Sequence, residues 1–222
     1  MRLIAILLLA VAMTTYRSSG QAVAVTTEST NSPHADVATN EEEKWSFSVS
    51  AYTYIVPDSR DYVQPTVTAD RGWLHLESRY NYEAQETGSA WIGYNFSGGE
   101  KLAWEITPML GGVFGETMGI APGYKGSLSW WKLNLYSEGE YVFDTRESSD
   151  SFFYNWSEFT FAPWDWCRIG MVTQRTRLYE TDREVQRGLL IGFTIKRVDL
   201  TAYIFNPDDS KPVYVFAVAL NF

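Results

Sequence analysis

The sequence predicts an all-β protein, a transmembrane antiparallel up-and-down β-barrel over residues 44–222, and three observations predict it. From residue 44 onward, apolar side chains alternate with polar or small ones, as strands with two different faces require. Turn signals separate these segments at fairly regular spacing. The connections alternate between longer, mostly acidic links and shorter ones, which matches the long loops and short turns of membrane barrels.

The alternation divides the barrel region into twelve strands, an even number that brings both chain ends to the same side. The weakest turn is Trp130-Trp131, which lacks the Gly, Pro or Asn that usually turns a chain, and a different pairing of residues 118–144 would leave ten strands. Pro65, Pro108 and Pro122 lie inside strands, where we expect bulges. The predicted strands are 45–56, 61–69, 73–84, 89–97, 101–111, 118–129, 131–144, 151–163, 166–179, 185–196, 199–206 and 212–222.

Residues 1–22 have the layout of a secretory signal peptide. A short basic start precedes an apolar run, Leu3 to Met13, that is too short for a membrane-spanning helix of about 20 residues. Residues 23–43 are polar and lack periodicity, so they cannot bury enough apolar surface to offset the entropy of ordering. We expect a flexible periplasmic tail there.

The aromatic residues indicate two membrane–water interfaces, where amphipathic rings are favoured. A soluble β-sandwich, the alternative, would spread its aromatic residues through one shared core. Seven tryptophans fall beside the short connections: Trp45, Trp73, Trp104, Trp130, Trp131, Trp164 and Trp166. Tyrosines lie toward the opposite strand ends: Tyr52, Tyr54, Tyr62, Tyr80, Tyr82, Tyr141 and Tyr179.

The last strand, residues 212–222, places Tyr214, Phe216, Val218, Leu220 and Phe222 on one face and ends on an aromatic residue. This pattern resembles the closing strand of Gram-negative outer-membrane β-barrels. The resemblance implies an outer-membrane location, contact with outer-membrane lipid and lipopolysaccharide, and recognition of residues 212–222 by the assembly machinery. The even strand number and the alternation of longer and shorter connections place both termini in the periplasm. The resemblance carries no motif for a particular activity.

The strand faces opposite the lipid carry many charged residues, which indicates a polar lumen because a charge on the lipid face at mid-depth costs roughly 2–4 kcal/mol. Arg175 and Arg177 fall on the lipid side by strict alternation, so either a bulge turns them inward or they lie above the membrane. The candidate lumen residues are His75, Glu77, Arg79, Glu105, Lys125, Lys132, Glu138, Glu140, Glu158 and Arg168.

We expect a narrow channel or passive transporter for a small polar solute. Twelve strands lie between the eight that side chains can fill and the sixteen or more that leave an open channel. One alternative is a closed structural or surface-interaction barrel whose lumen is plugged by ion pairs among Glu77, Arg79, Glu138, Glu140 and Arg168.

A second alternative is a lipid-modifying hydrolase, because outer-membrane barrel hydrolases resemble one another in carrying a His close to a Ser. His75 would be the base, and Ser78 lies on the opposite strand face, so a nucleophile would come from another strand, such as Ser97 or Ser127. Catalysis is not the favoured interpretation. No spacing typical of metal or cofactor ligands occurs, and a formal net charge of −9 argues against nucleic-acid binding.

Overall fold

The computed structural model describes residues 44–146, 151–175 and 185–222, so the predicted signal peptide, the predicted tail, Arg177 and Tyr179 lie outside the described residues. Among these residues no helix is long and apolar enough to cross a membrane. The strands are β1 (Ser46–Ile55), β2 (Tyr62–Arg71), β3 (Leu74–Tyr80), β4 (Thr87–Tyr94), β5 (Phe96–Gly98), β6 (Leu102–Gly115), β7 (Gly119–Trp130), β8 (Leu133–Asp144), β9 (Phe152–Trp164), β10 (Cys167–Arg175), β11 (Gln186–Ile195), β12 (Val198–Phe205) and β13 (Val213–Asn221).

The strands close into a ring of twelve, as the sequence predicts. β4 and β5 both pair with β6 in a single register, so they are two segments of one barrel strand, interrupted at Asn95. β13 pairs with β1, from Ser48 opposite Asn221 to Ile55 opposite Tyr214. Every neighbouring pair is antiparallel, and closure removes the free sheet edges that a membrane would leave unsatisfied.

Short turns lie at one end of the barrel, hereafter the turn end, and longer loops lie at the other, the loop end. The turn between β7 and β8 consists of Trp131 and Lys132 alone. Trp131 turns the chain by adopting a positive φ of 53°, a left-handed conformation that costs a non-glycine residue roughly 1–2 kcal/mol. The hairpin that looked weakest in the sequence is therefore intact, which is why the strand count stays at twelve.

The three prolines do not cause the bulges that we expected. The register is unchanged at Pro65, Pro108 and Pro122, and the register shift in the β9–β10 ladder lies instead between Cys167 and Ile169. Each proline lies beside a position where the ladder on one side is missing. The β2–β3 pairing begins only after Pro65, Pro108 faces the break between β4 and β5, and Pro122 lies in the unpaired step of β7–β8. The missing backbone N–H of each proline therefore leaves no ladder hydrogen bond unformed.

The outer surface of the barrel is apolar and the inner surface is polar or packed, the reverse of a soluble protein. Large apolar side chains stand exposed on the outward faces, among them Ile92, Leu110, Ile191 and Phe216. Such an apolar band with a polar interior is the arrangement of a barrel that spans lipid. The outer-membrane class expected from the closing strand is confirmed.

The tryptophan girdle predicted at the turn end is present, because the seven tryptophans named above are all exposed there. The tyrosine girdle is only partly as predicted. Tyr80 and Tyr141 point outward, but four others are turned into the lumen: Tyr52, Tyr54, Tyr62 and Tyr82. Strand alternation decides this for Tyr52, Tyr54 and Tyr62, which share a face with lumen residues, and it outweighs the preference of a ring for the interface. Tyr82 lies beyond the end of β3, in the segment 81–86 that turns into the barrel.

Candidate functional site

The lumen is divided into two halves of different character. The half near the loop end, the loop half, is filled by packed side chains. The half near the turn end, the turn half, is open and polar. Most of the predicted lumen residues lie on the inward strand faces around the boundary between these halves.

Arg79 forms the centre of a buried ion network in the loop half. Its Nε donates to Glu77 Oε1 at 2.7 Å, and its Nη1 donates to Glu140 Oε2 at 2.6 Å. Glu83 Oε1 lies 3.9 Å from the same Nη1. The four side chains are at most 3% exposed, so each charge depends on the others for compensation that water would otherwise give. The network therefore ties β3 to β8 across the lumen.

Aromatic rings enclose the Arg79 guanidinium on two sides. Its carbon atom lies 4.1 Å from the Tyr82 ring centroid and 4.6 Å from the Trp91 ring centroid, distances at which a ring face attracts a cation. Tyr82 belongs to the loop 81–86, which turns into the barrel, and its hydroxyl donates to Glu138. Tyr82 also contacts Tyr154 on β9, with ring centroids 4.7 Å apart. Tyr82 thus contacts residues of three strands, β3, β8 and β9.

The rest of the loop half is a packed core inside the barrel. Tyr54, Val142, Phe205 and Val215 are fully buried, and Trp156 packs edge-on against Phe205 at 5.5 Å between ring centroids. The small inner face of the closing strand fits this packing, because Val213, Val215 and Ala217 leave room for the opposing rings. Side chains fill the lumen at this level.

Several polar atoms in this core have no hydrogen-bond partner among the described residues. They are Glu83 Oε2, Glu140 Oε1 and both amide atoms of Gln174. A buried polar atom without a partner costs about 1–3 kcal/mol, whereas water entering the lumen would satisfy it. The packing of the loop half is therefore less favourable than that of an apolar core of the same size.

The turn half contains connected polar space. A cavity of about 630 Å³ opens at the turn end and is lined by His75, Glu105 and Lys125 among others. A deeper cavity of about 280 Å³ continues to Glu77, Glu138 and Glu158. Lys125 and Tyr136 line both cavities, so the two meet at these residues. Lys125 Nζ lies 2.5 Å from Glu77 Oε2, which joins the floor of the open half to the Arg79 network.

The remaining predicted residues lie farther toward the turn end. Glu105 is exposed in the cavity wall, and Glu158 accepts hydrogen bonds from Trp156 Nε1 at 3.0 Å and the Tyr203 hydroxyl at 2.9 Å. Arg168 donates to Thr201 at 2.6 Å and lies 4.0 Å from Asp199. Lys132 lies on the rim and donates to the Pro163 carbonyl at 2.7 Å. The structure thus separates these residues from the Arg79 network.

Arg175 lies on the outward face at the loop end of β10, where its guanidinium is 5.9 Å from the ring centroid of the exposed Phe153. No bulge turns it into the lumen.

His75 is held between two carboxylates. Its Nδ1 lies 2.7 Å from Asp70 Oδ1, and its Nε2 lies 3.0 Å from Glu77 Oε2. Ser97 and Ser127 line the same cavity, but both ring nitrogens already face carboxylates, and no serine hydroxyl bonds to them within the described part of the chain. The contact between nucleophile and base that a hydrolase needs is missing from this arrangement. In the described ranges, no cluster of three His, Cys, Asp or Glu side chains is placed to hold a metal ion.

Several residues of the lumen were absent from the predicted set. Asp70 and Asp199 could have been found, because they share strand faces with Thr68 and Thr201. Tyr82 could not have been found from alternation. Strand β3 ends at Tyr80, whereas the sequence predicts that it continues to residue 84, and the path of the following loop is not encoded by period-two alternation.

No protein-family model matches the sequence, and no curated protein matches it. Among solved structures, a structure described as "KdgM porin" superposes with a TM-score of 0.55 at 11% identity, over 79% of this chain and 99% of that one. The fold is that of an outer-membrane porin. A second structure, Omp33 of Acinetobacter baumannii, aligns with a TM-score of 0.47 at 9% identity, over 82% of this chain and 100% of that one. At such low identity the likeness concerns the fold.

Proposed function

We propose that this barrel is a narrow outer-membrane channel or passive transporter for a small polar solute. The observation that carries the proposal is the turn half of the lumen. Polar and charged side chains line about 630 Å³ of space there, and this space continues inward to Glu77, Glu138 and Glu158. A barrel that served only to hold lipid-facing strands together would have no need of such a polar cavity.

The loop half is the constriction of the proposed channel. Arg79 and Tyr82 connect opposite walls, and passage of a solute requires these contacts to separate. The unsatisfied atoms of Glu83, Glu140 and Gln174 favour such a change, because water in an opened lumen would satisfy them. Loop 81–86 contributes Tyr82 and is the element whose movement would open the path. This arrangement predicts small conductance in the unmodified protein.

We propose an orientation in which the turn end and both termini face the periplasm, with lipopolysaccharide around the loop end. The short turns and the tryptophan girdle at one end support it. The test is an epitope inserted into the loop between β12 and β13, within its mostly exposed residues 207–211, and probed with antibody on intact cells. Labelling without permeabilisation agrees with the proposal, and labelling only after permeabilisation contradicts it.

Planar-bilayer recording of the purified barrel tests the channel directly. We expect discrete single-channel steps, together with swelling of liposomes in an isotonic solution of a small polar solute. A refolded barrel that gives neither steps nor swelling would refute the channel.

The closed structural barrel remains a second candidate, because the packed loop half favours it. Of the residues expected to plug the lumen, Arg79 pairs with Glu77 and Glu140, while Glu138 bonds to Tyr82 and Arg168 lies instead beside Asp199. The same recordings separate the two candidates, because a permanently packed lumen passes neither ions nor solute.

A further inference from the structure

We infer that the open half of the lumen selects cations over anions, so that the solute class of the proposed channel is a small cation, inorganic or an organic ammonium compound. Glu105, Glu138 and Glu158 set this selectivity. The inference rests on the proposed channel function and adds a sign of charge to it.

Its basis is that the basic side chains deeper in the lumen are already compensated. Arg79 bonds to Glu77 and Glu140, and Lys125 lies 2.5 Å from Glu77. Arg168 lies 4.0 Å from Asp199 and donates to Thr201. The positive charges of these side chains are largely balanced by the neighbouring carboxylates, so little net positive potential remains to attract an anion.

Glu138 and Glu158, by contrast, are held mainly by neutral groups. Glu138 accepts hydrogen bonds from the hydroxyls of Tyr82 and Tyr136, and its nearest cation, Lys125, is 3.9 Å away and bound more closely to Glu77. Glu158 accepts from the Trp156 indole and the Tyr203 hydroxyl. A neutral donor orients a carboxylate and leaves its negative charge in place. Both carboxylates line the cavity of about 280 Å³.

Glu105 adds a third negative charge nearer the mouth. It is exposed on the inward face of β6 and lines the cavity of about 630 Å³. Lys44 lines that cavity too, and Lys132 lies on the rim, so the mouth itself carries opposing cations. The carboxylates lie along the path beyond these lysines. Carboxylates of this kind favour cations in other channels.

The aromatic lining of the inner cavity favours the same class of ligand. Tyr52, Tyr136, Trp156 and Tyr203 contribute to its wall beside Glu138 and Glu158. The faces of such rings attract cations, and ammonium compounds are bound in other proteins by rings of this type. The ring faces and the carboxylates beside them both favour a cation over an anion.

The reversal potential in a potassium chloride gradient tests the inference. In a water-filled lumen at about 0.1 M salt, one carboxylate about 8 Å from the path enriches a cation roughly 1.5-fold and depletes an anion by the same factor. Each carboxylate therefore raises the potassium-to-chloride permeability ratio roughly twofold, and three raise it to a value on the order of ten. A moderate salt concentration is needed, because the screening length is about 10 Å at 0.1 M. The variant Glu105→Gln should lower the ratio roughly twofold by the same reasoning. Glu105 is exposed, so the variant should fold.

Glu116→Gln is the matched control. It removes one exposed carboxylate at the loop end, away from the open half, and should leave the ratio almost unchanged. A conducting wild-type channel with a ratio of one or below overturns the selectivity alone. Equal shifts in Glu105→Gln and Glu116→Gln overturn its assignment to the open half. Complete absence of conductance overturns the channel and the selectivity together.

Discussion

Replacing Arg79 by Ala should destabilise the barrel far more than replacing Arg168, although both arginines lie in the lumen. Arg79→Ala removes the donor to Glu77 and Glu140 and leaves the carboxylate of Glu140 buried without a cation. Breaking a buried ion pair by removing one partner typically costs about 3–5 kcal/mol. The lost ring contacts with Tyr82 and Trp91 add to this cost.

Arg168→Ala is the matched control for this prediction. The Arg168 side chain is 30% exposed and lies 4.0 Å from a carboxylate that is itself 27% exposed, so solvent screens the pair. Exposed pairs contribute about 0–1 kcal/mol, and the hydrogen bond to Thr201 adds about 1 kcal/mol. The two variants should therefore differ by about 2–3 kcal/mol in the free energy of unfolding.

Urea unfolding of the barrel in phospholipid vesicles, followed by tryptophan fluorescence, measures this difference as a shift of the midpoint at unchanged slope. A double variant identifies the cause. Adding Glu140→Gln to Arg79→Ala removes the charge left behind, so the double variant should be more stable than Arg79→Ala alone, by about 1 kcal/mol or more. The reasoning is refuted if Arg79→Ala costs no more than Arg168→Ala, or if Glu140→Gln restores nothing.

Three further predictions use neighbouring features of the same barrel. Gly111→Ala should lower the free energy of unfolding by about 1–3 kcal/mol, because the added Cβ would lie 2.4 Å from the Trp91 ring. Gly112→Ala, which has open space around its Cβ, should change it by no more than about 0.5 kcal/mol. Equal losses of stability in the same unfolding assay would contradict this packing. Tyr82→Phe should lower the free energy of unfolding by about 1.5–3 kcal/mol, because it removes the hydroxyl that donates to the Glu138 carboxylate inside the lumen. An unchanged unfolding midpoint would show that this hydrogen bond does not contribute to stability. Deleting Phe222 should lower the amount of barrel in the outer membrane while refolding in micelles stays close to wild type; equal losses in both would argue for a structural role instead of recognition by the assembly machinery.

The sequence predicts the fold well because alternation acts on every strand. Lumen-facing positions such as Glu77, Glu138 and Glu158 follow from period two alone. Because a charged side chain is unfavourable on the lipid-facing side, the face of each strand that carries the charges is the inner one. Local turn chemistry is less decisive, since Trp131 adopts a conformation that its residue type disfavours when both flanking strands are well paired.

The division of the lumen into two halves could not be predicted in the same way. Alternation assigns Tyr54 and Arg79 to the inner face without saying how far their side chains reach across the barrel, and it places Tyr82 on the outer face with Tyr80. That reach depends on the barrel diameter and on the inward path of loop 81–86, which are properties of the closed structure. The pairing of Arg168 with Asp199, and not with the Arg79 network, has the same origin.

Single-channel conductance of Tyr82→Ala against wild type tests most directly the claim that the packed loop half is the constriction of a channel. The substitution removes the ring that connects Arg79, Glu138 and Tyr154, at the inner end of the open half. Small steps in the wild type and clearly larger steps in Tyr82→Ala are the predicted result, with Ser127→Ala, in the open half, close to wild type. Equal conductance in Tyr82→Ala and wild type, or none in either, would contradict it.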